Sequence, residues 1–243
     1  MKKINVKDKL AELEFPVADI VLGDFDYIGE YTAKKTRDQN SELYKKVGCF
    51  FRPNYERGIL IYHLIRRFEI KSVLEIGFGR GYAAFCAAKA MTDAGIDGKV
   101  YSCDPNFDEE FIKGLVAVFP KEWFDKLSLL RGGVDQAVNS LEGQQMELVY
   151  IDGDHRYAAV KHDWEMMKDR FTKFVLFDDY AESKQRDIEV KQLIDEIENE
   201  KELIISDRRI FFDDRRIADE DINYGQVLIK HSDFNTAEFL GEW

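Results

Sequence analysis

The sequence predicts an α/β fold: a doubly wound, mostly parallel sheet of seven strands with helices on both faces. Three observations predict it. From Ile59 onward short apolar runs alternate with segments of helical periodicity, which implies crossover units between parallel strands. Four of the apolar runs end in glycine or aspartate (Gly77 to Gly81, Asp104, Asp152 to His155, Asp178-Asp179), and in such sheets the carboxyl ends of the strands converge on one ligand-binding rim. The length of 243 residues suits one large domain, or one domain with a decoration.

The elements follow in chain order. Residues 1–55 lack strand–helix alternation and are dotted with aromatics, among them Tyr27, Tyr31, Phe50, Phe51 and Tyr55. They read as an N-terminal arm or lid on a main domain over 56–243, or equally as an extension that only covers a sheet edge. Ile61, Leu64, Ile65 and Phe68 recur at helical spacing. Ser72 to Ile76 is a short apolar strand, Gly77 to Gly81 a glycine turn, and Tyr82 to Met91 a helix of small residues suited to close packing on a sheet. Lys99 to Cys103 is the second strand, Glu109 to Phe119 a helix, Leu127 to Leu130 the third strand and Val134 to Leu141 a helix. Leu148 to Ile151 is the fourth strand, Arg156 to Arg170 a helix and Phe174 to Phe177 the fifth strand. Val190, Leu193, Ile194 and Ile197 mark one more helix; Leu203 to Ser206 and Gln226 to Ile229 are the last two strands.

Composition narrows the partners. Lys and Arg number 35 against 47 Asp and Glu, a net charge of −12. Affinity for phosphate backbones comes from counterion release by Lys and Arg, so nucleic acid and anionic membrane are poor fits. No run approaches the roughly 18 uncharged apolar residues of a membrane span, and Met1 to Leu10 leads into no apolar signal core. The cytoplasm is therefore the expected compartment. Three widely spaced cysteines (Cys49, Cys86, Cys103) argue against a disulfide framework or a zinc–thiolate site. The oligomeric state stays open, a homo-oligomer included.

In the turn Glu75-Ile76-Gly77-Phe78-Gly79-Arg80-Gly81, alternating glycines let a ligand approach the backbone without a Cβ in the way. The amides opening the next helix point at that ligand. A dinucleotide site would have glycine where Tyr82 stands. The acidic Glu75 before the turn disfavours a pyrophosphate and suits a cationic group such as an amine or a sulfonium.

This motif resembles the first motif of class I methyltransferases that use S-adenosylmethionine, whose fold is Rossmann-like; the resemblance spans about residues 59–231. It implies that Glu75, Gly77, Gly79 and Gly81 form the cofactor turn. It implies that Asp104, 23 residues past Gly81, accepts hydrogen bonds from both ribose hydroxyls. Gly132-Gly133-Val134-Asp135 is similar to the segment that flanks the adenine, which places Gly133 and Val134 at the cofactor; Asp152 is expected to contact it as well.

Asp152, Asp178 and Asp179 are expected at the ends of adjacent strands. Carboxylates gathered at one rim repel one another unless a cation neutralises them, and hard oxygen donors suit Mg²⁺. The segments Tyr150-Ile151-Asp152-Gly153-Asp154-His155 and Phe177-Asp178-Asp179-Tyr180 resemble the metal-dependent macrocin O-methyltransferase and cephalosporin-hydroxylase-like group. That resemblance implies Asp152, Asp178 and Asp179 as ligands of Mg²⁺ and His155 as the base. The first acid of the pair is often Glu in that group, and Asp178 is a methylene shorter. Asp154 is expected to cap the following helix, His162 to lie on a helix surface, and Trp164 to pack in the core.

The implied reaction is methyl transfer to a hydroxyl of a small-molecule acceptor, a sugar or sugar-containing metabolite by resemblance. Two alternatives remain: a metal-independent methyltransferase acting on nitrogen or carboxylate, and a non-catalytic module that binds the cofactor.

Overall fold

The computed structural model describes residues 1–13, 55–79, 81–107, 109–180, 187–205 and 225–235. Among the described residues eight strands form one sheet: β1 (Lys2–Asn5), β2 (Ser72–Ile76), β3 (Lys99–Asp104), β4 (Leu127–Arg131), β5 (Met146–Ile151), β6 (Phe171–Tyr180), β7 (Lys201–Ile205) and β8 (Gly225–Lys230). Their order is β1-β7-β8-β6-β5-β2-β3-β4. β8 runs antiparallel to both its neighbours, and the other pairs are parallel. The described helices are α1 (Val6–Glu12), α2 (Tyr55–Arg67), α3 (Tyr82–Asp93), α4 (Glu109–Val118), α5 (Lys121–Phe124), α6 (Val134–Ser140), α7 (Tyr157–Met167) and α8 (Val190–Glu196). None is long and apolar enough to cross a membrane.

The central strands are apolar on both sides because helices cover both sides. Val73, Leu148, Phe174 and Leu176 meet Leu60, Ile61, Leu64, Ile65 and Phe68 of α2 and its C-terminal extension, together with the small residues of α3. Leu74, Val149, Val175 and Phe177 face Val134, Ala137 and Val138 of α6, Val160, Trp164 and Met167 of α7, and Leu193 and Ile194 of α8. Burial of each Leu, Ile or Phe contributes about 2 kcal/mol. Trp164 is buried, as its spacing implies, and His162 is half-exposed on α7, as expected.

The strand count differs from the seven expected. The additional strand is β1, which pairs in parallel with β7 from Lys2↔Glu202 to Asn5↔Ile205. A run of two lysines, one isoleucine and one asparagine carries no period of its own; its partner lies far along the chain. The strand and α1 are held by Ile4, Leu10 and Leu13, all buried, and by Lys9, whose Nζ meets Glu202 Oε2 at 2.5 Å and Glu12 Oε1 at 3.1 Å. Of the aromatics assigned to the N-terminal arm, Tyr27, Tyr31, Phe50 and Phe51 lie outside the described residues.

The order of winding reverses between β2 and β5. From β2 the chain proceeds outward through β3 and β4; it then returns to β5 on the other side of β2 and proceeds to β6. The crevice at the carboxyl ends of β2 and β5 is the switch point at which such sheets bind ligands.

Candidate functional site

The glycine turn leaves β2 at this switch point. The Gly77 amide donates to the Cys103 carbonyl (2.9 Å), and the Asp152 amide donates to the Ile76 carbonyl (2.9 Å), so the ends of β2, β3 and β5 are tied together. Gly77 has φ +95°, and a Cβ there would lie 2.2 Å from the Asp152 carbonyl oxygen. Its glycine is therefore demanded by the neighbouring chain. Gly79 is different: with φ +50°, a Cβ there would meet nothing within 4 Å among the described residues. Gly81, with φ +80°, starts α3 while Phe78 packs beneath it against Phe85 and Phe107.

Two carboxylates hold the turn. Asp104, at the end of β3, accepts the Gly79 amide through Oδ2 (3.1 Å) and the Asn106 amide through Oδ1 (2.7 Å). Glu75 is only 2% exposed. Its carboxyl accepts the Ser102 hydroxyl from β3 and a backbone amide at Ala84, in the first turn of α3. Burial pushes its pKa up to about 8, against those two hydrogen bonds, and the nearby Asp104 adds to the rise. Glu75 thus sits beneath the turn, bonded to the elements on either side.

The second glycine pair follows β4. The Gly132 amide donates to the Asp104 carbonyl (3.1 Å), and the Gly133 amide to Gln136 Oε1 (2.9 Å). Val134 places its side chain in the core on the α7 side. Asp135 meets His162 Nε2 at 2.9 Å, bracing α6 against α7.

The acidic rim lies beside the turn. Asp152 Oδ2 accepts the Tyr150 hydroxyl at 3.2 Å. Asp152, His155 and Asp179 bring one donor atom each to within 4.8 Å of one another, and His155 Nε2 is 3.5 Å from Asp179 Oδ2. Asp179 reaches this position through a bulge. Strand pairing runs Phe177↔Val227 and then Tyr180↔Gly225, so β6 carries one residue more than β8, and Asp179 adopts φ +47°. Bulges of this kind re-aim side chains next to active sites. Asp178, the other half of the acidic pair, is 1% exposed and falls outside the trio.

The loop that carries His155 is fixed at both ends. Asp154 Oδ1 accepts the Arg156 amide at 3.0 Å and its carboxylate pairs with the Arg156 guanidinium. The first amide of α7, at Tyr157, is capped by Glu189 Oε2 (2.8 Å), and the Glu189 amide donates to the His155 carbonyl (2.8 Å). Asp163 of α7 lies below the loop, its Oδ2 3.4 Å from where a Cβ on Gly153 would be. Burial raises its pKa to about 7, with the neighbouring charges of Asp135 and Asp154 adding to the rise and His162 opposing it.

Sequence reasoning missed Ser102, Tyr150, Asp163 and Glu189. Only Tyr150 left a signal: it stands two residues before Asp152, hence on the same face of β5. Ser102 and Glu189 act across elements, and Asp163 looks like one more polar residue of α7.

Comparison with known proteins agrees with this fold. Residues 74–180 match the model of a family described as a methyltransferase domain. Among solved structures, the chain is similar to TomG, an O-methyltransferase from Streptomyces achromogenes involved in tomaymycin synthesis and solved with SAM. The TM-score is 0.56 and the identity 11%, over 88% of this chain and 96% of that one. It is also similar to an O-methyltransferase from Bacillus cereus in complex with SAH (TM-score 0.53, 12% identity, 93% and 96% covered). A third is the SAH-bound methyltransferase PaMTH1 of Podospora anserina (TM-score 0.52, 14% identity, 85% and 88% covered). At these identities the structures speak for the fold. No curated protein sequence matches the chain. The fold is thus that of solved S-adenosylmethionine-dependent methyltransferases, and the segment 74–180 is similar to a methyltransferase domain.

Proposed function

We propose that this chain is an O-methyltransferase that acts on a hydroxyl of a small-molecule acceptor with the help of a divalent cation. The observation that carries the reading is the meeting of Asp152, His155 and Asp179 at the rim next to the glycine turn. The donor set fits a cation: two half-buried carboxylates from neighbouring strands converge where charge repulsion alone would drive them apart, and the imidazole beside them is left to act as a base. Asp152 and Asp179 would hold Mg²⁺; such an ion supplies Lewis acidity that lowers the pKa of an acceptor hydroxyl. An acceptor of the sugar class is proposed on the resemblance of the rim motif, and S-adenosylmethionine supplies a methyl group carried on a cationic sulfur.

The remaining work falls to the protein. The backbone at Gly79 and the amides opening α3 seat the donor. His155 accepts the hydroxyl proton of the acceptor, and Asp179, 3.5 Å away, stabilises the imidazolium that results. The oxygen then attacks the methyl carbon as the bond to sulfur breaks. Positioning supplies most of the acceleration.

The test is transfer of a labelled methyl group to a panel of nucleotide sugars and phenols with Mg²⁺. Added chelator and Asp152→Ala are expected to abolish transfer. His155→Ala is expected to lower it by about 10²–10⁴-fold while donor binding persists. Full activity under all three conditions would refute the cation-and-base reading. Transfer to nitrogen or carboxylate acceptors that ignores chelator would support the metal-independent alternative. A bound donor with no methylated product would support the binding-module alternative.

A further inference from the structure

We propose that Tyr150 is a positioning residue for Asp152: its phenol holds the Asp152 carboxylate in the orientation that receives the cation. The inference rests on the reading of Asp152 as a metal ligand.

Tyr150 stands in the middle of the sheet, paired with Glu75 on β2 and with Leu176 on β6. It is 2% exposed and belongs to the apolar cluster under α2 and α3. A phenylalanine would fill the same space without burying a hydroxyl, and a buried phenol requires a hydrogen-bond partner. The phenol donates to Asp152 Oδ2, 3.2 Å away and two residues further along the same face. The Asp152 backbone is fixed independently by its amide bond to Ile76. Main chain and side chain are thus anchored from two sides before any cation arrives.

The chemistry of the partner matters. A Lys or Arg at this position would orient Asp152 equally well but would neutralise it and compete with the cation. A phenol is neutral: it orients the carboxylate and leaves its full charge at the rim. An ionised carboxylate offers about four lone-pair sites, so one accepted proton leaves capacity for a metal. Partners of this kind tune ligating groups, and their loss typically weakens metal affinity about 10–100-fold.

The experiment uses Mn²⁺ as the probe, with free ion counted by electron paramagnetic resonance on the full-length chain. The affinity for S-adenosylhomocysteine, read by calorimetry, is the control for an intact fold. Tyr150→Phe is expected to raise the Mn²⁺ Kd about 10–100-fold and to leave the S-adenosylhomocysteine Kd within about twofold. In an Asp152→Asn background the same substitution is expected to add less than about twofold, because the carboxylate it acts through is gone. An unchanged Mn²⁺ Kd in Tyr150→Phe would overturn the proposal, as would an equal loss in the Asp152→Asn background. A parent chain that binds no Mn²⁺ would instead overturn the cation reading, and the inference with it.

Discussion

Glu75 offers the sharpest test of how the site is built. Its carboxyl is 2% exposed, and burial pushes its pKa from 4.5 up to about 8. The unfolded chain releases this proton near pH 4.5, whereas the folded chain retains it until about pH 8. The folded state therefore binds the extra proton throughout that window. Stability from this group is fully present below the unfolded pKa, falls steadily as pH rises, and is lost once pH passes the folded value. Each pH unit is worth about 1.4 kcal/mol, so between pH 5.5 and 7.5 the loss is about 3 kcal/mol. Glu75→Gln fixes the neutral form. Its amide oxygen still accepts the amide at Ala84, and its NH₂ group faces the Ser102 hydroxyl. Urea unfolding followed by circular dichroism across this range is expected to show the parent losing about 3 kcal/mol relative to Glu75→Gln. Other titrating groups cancel in that difference. Two stability curves that run parallel in pH would refute the reasoning, because Glu75 would then titrate alike in both states.

Three further predictions use the same geometry. Gly77→Ala forces a Cβ to within 2.2 Å of the Asp152 carbonyl at φ +95°, and is expected to destabilise the fold by about 3 kcal/mol or more in urea unfolding. Gly79→Ala meets no described atom within 4 Å, so it is expected to cost about 1 kcal/mol for its left-handed φ while weakening donor binding at least about tenfold, read by calorimetry. Asp163→Asn removes a carboxyl that burial raises from 3.8 to about 7. The parent's stability from that group is present below pH 3.8 and lost as pH rises through about 7, so the thermal midpoint of the variant is expected to gain on the parent between pH 5 and pH 8.

Much of this was legible in the residues. The strand ends at Gly77, Asp104, Asp152 and Asp178-Asp179 do converge, because a parallel sheet with crossover helices permits little else once the apolar runs are recognised. Periodicity sufficed for α2 through α8, apart from the four-residue α5, which is too short to show one. Register was not legible. The bulge at Asp178 and Asp179 arises from pairing with β8, nearly fifty positions on, and local sequence contains no trace of it. The burial of Asp178 and the turning of Asp179 toward His155 both follow from that pairing. Capping of α7 by Glu189 and the edge strand β1 escaped for the same reason: each is defined by a partner distant in sequence.

Asp179 shows why the rim is best understood as built for a ligand. A residue at φ +47° is most easily a glycine, and an aspartate there is held at a strain of about 1 kcal/mol. The strand could avoid the strain by continuing its regular pairing to β8, in which case alternation would send residue 179 to the α7 face, away from Asp152. Instead the chain spends one extra residue, breaks the ladder and sets a second carboxylate beside the first and beside an imidazole. The broken ladder and the paired carboxylates are unfavourable in the unliganded chain, and the imidazole offsets them only in part. On the proposed reading, a cation between the two carboxylates would relieve the repulsion that remains.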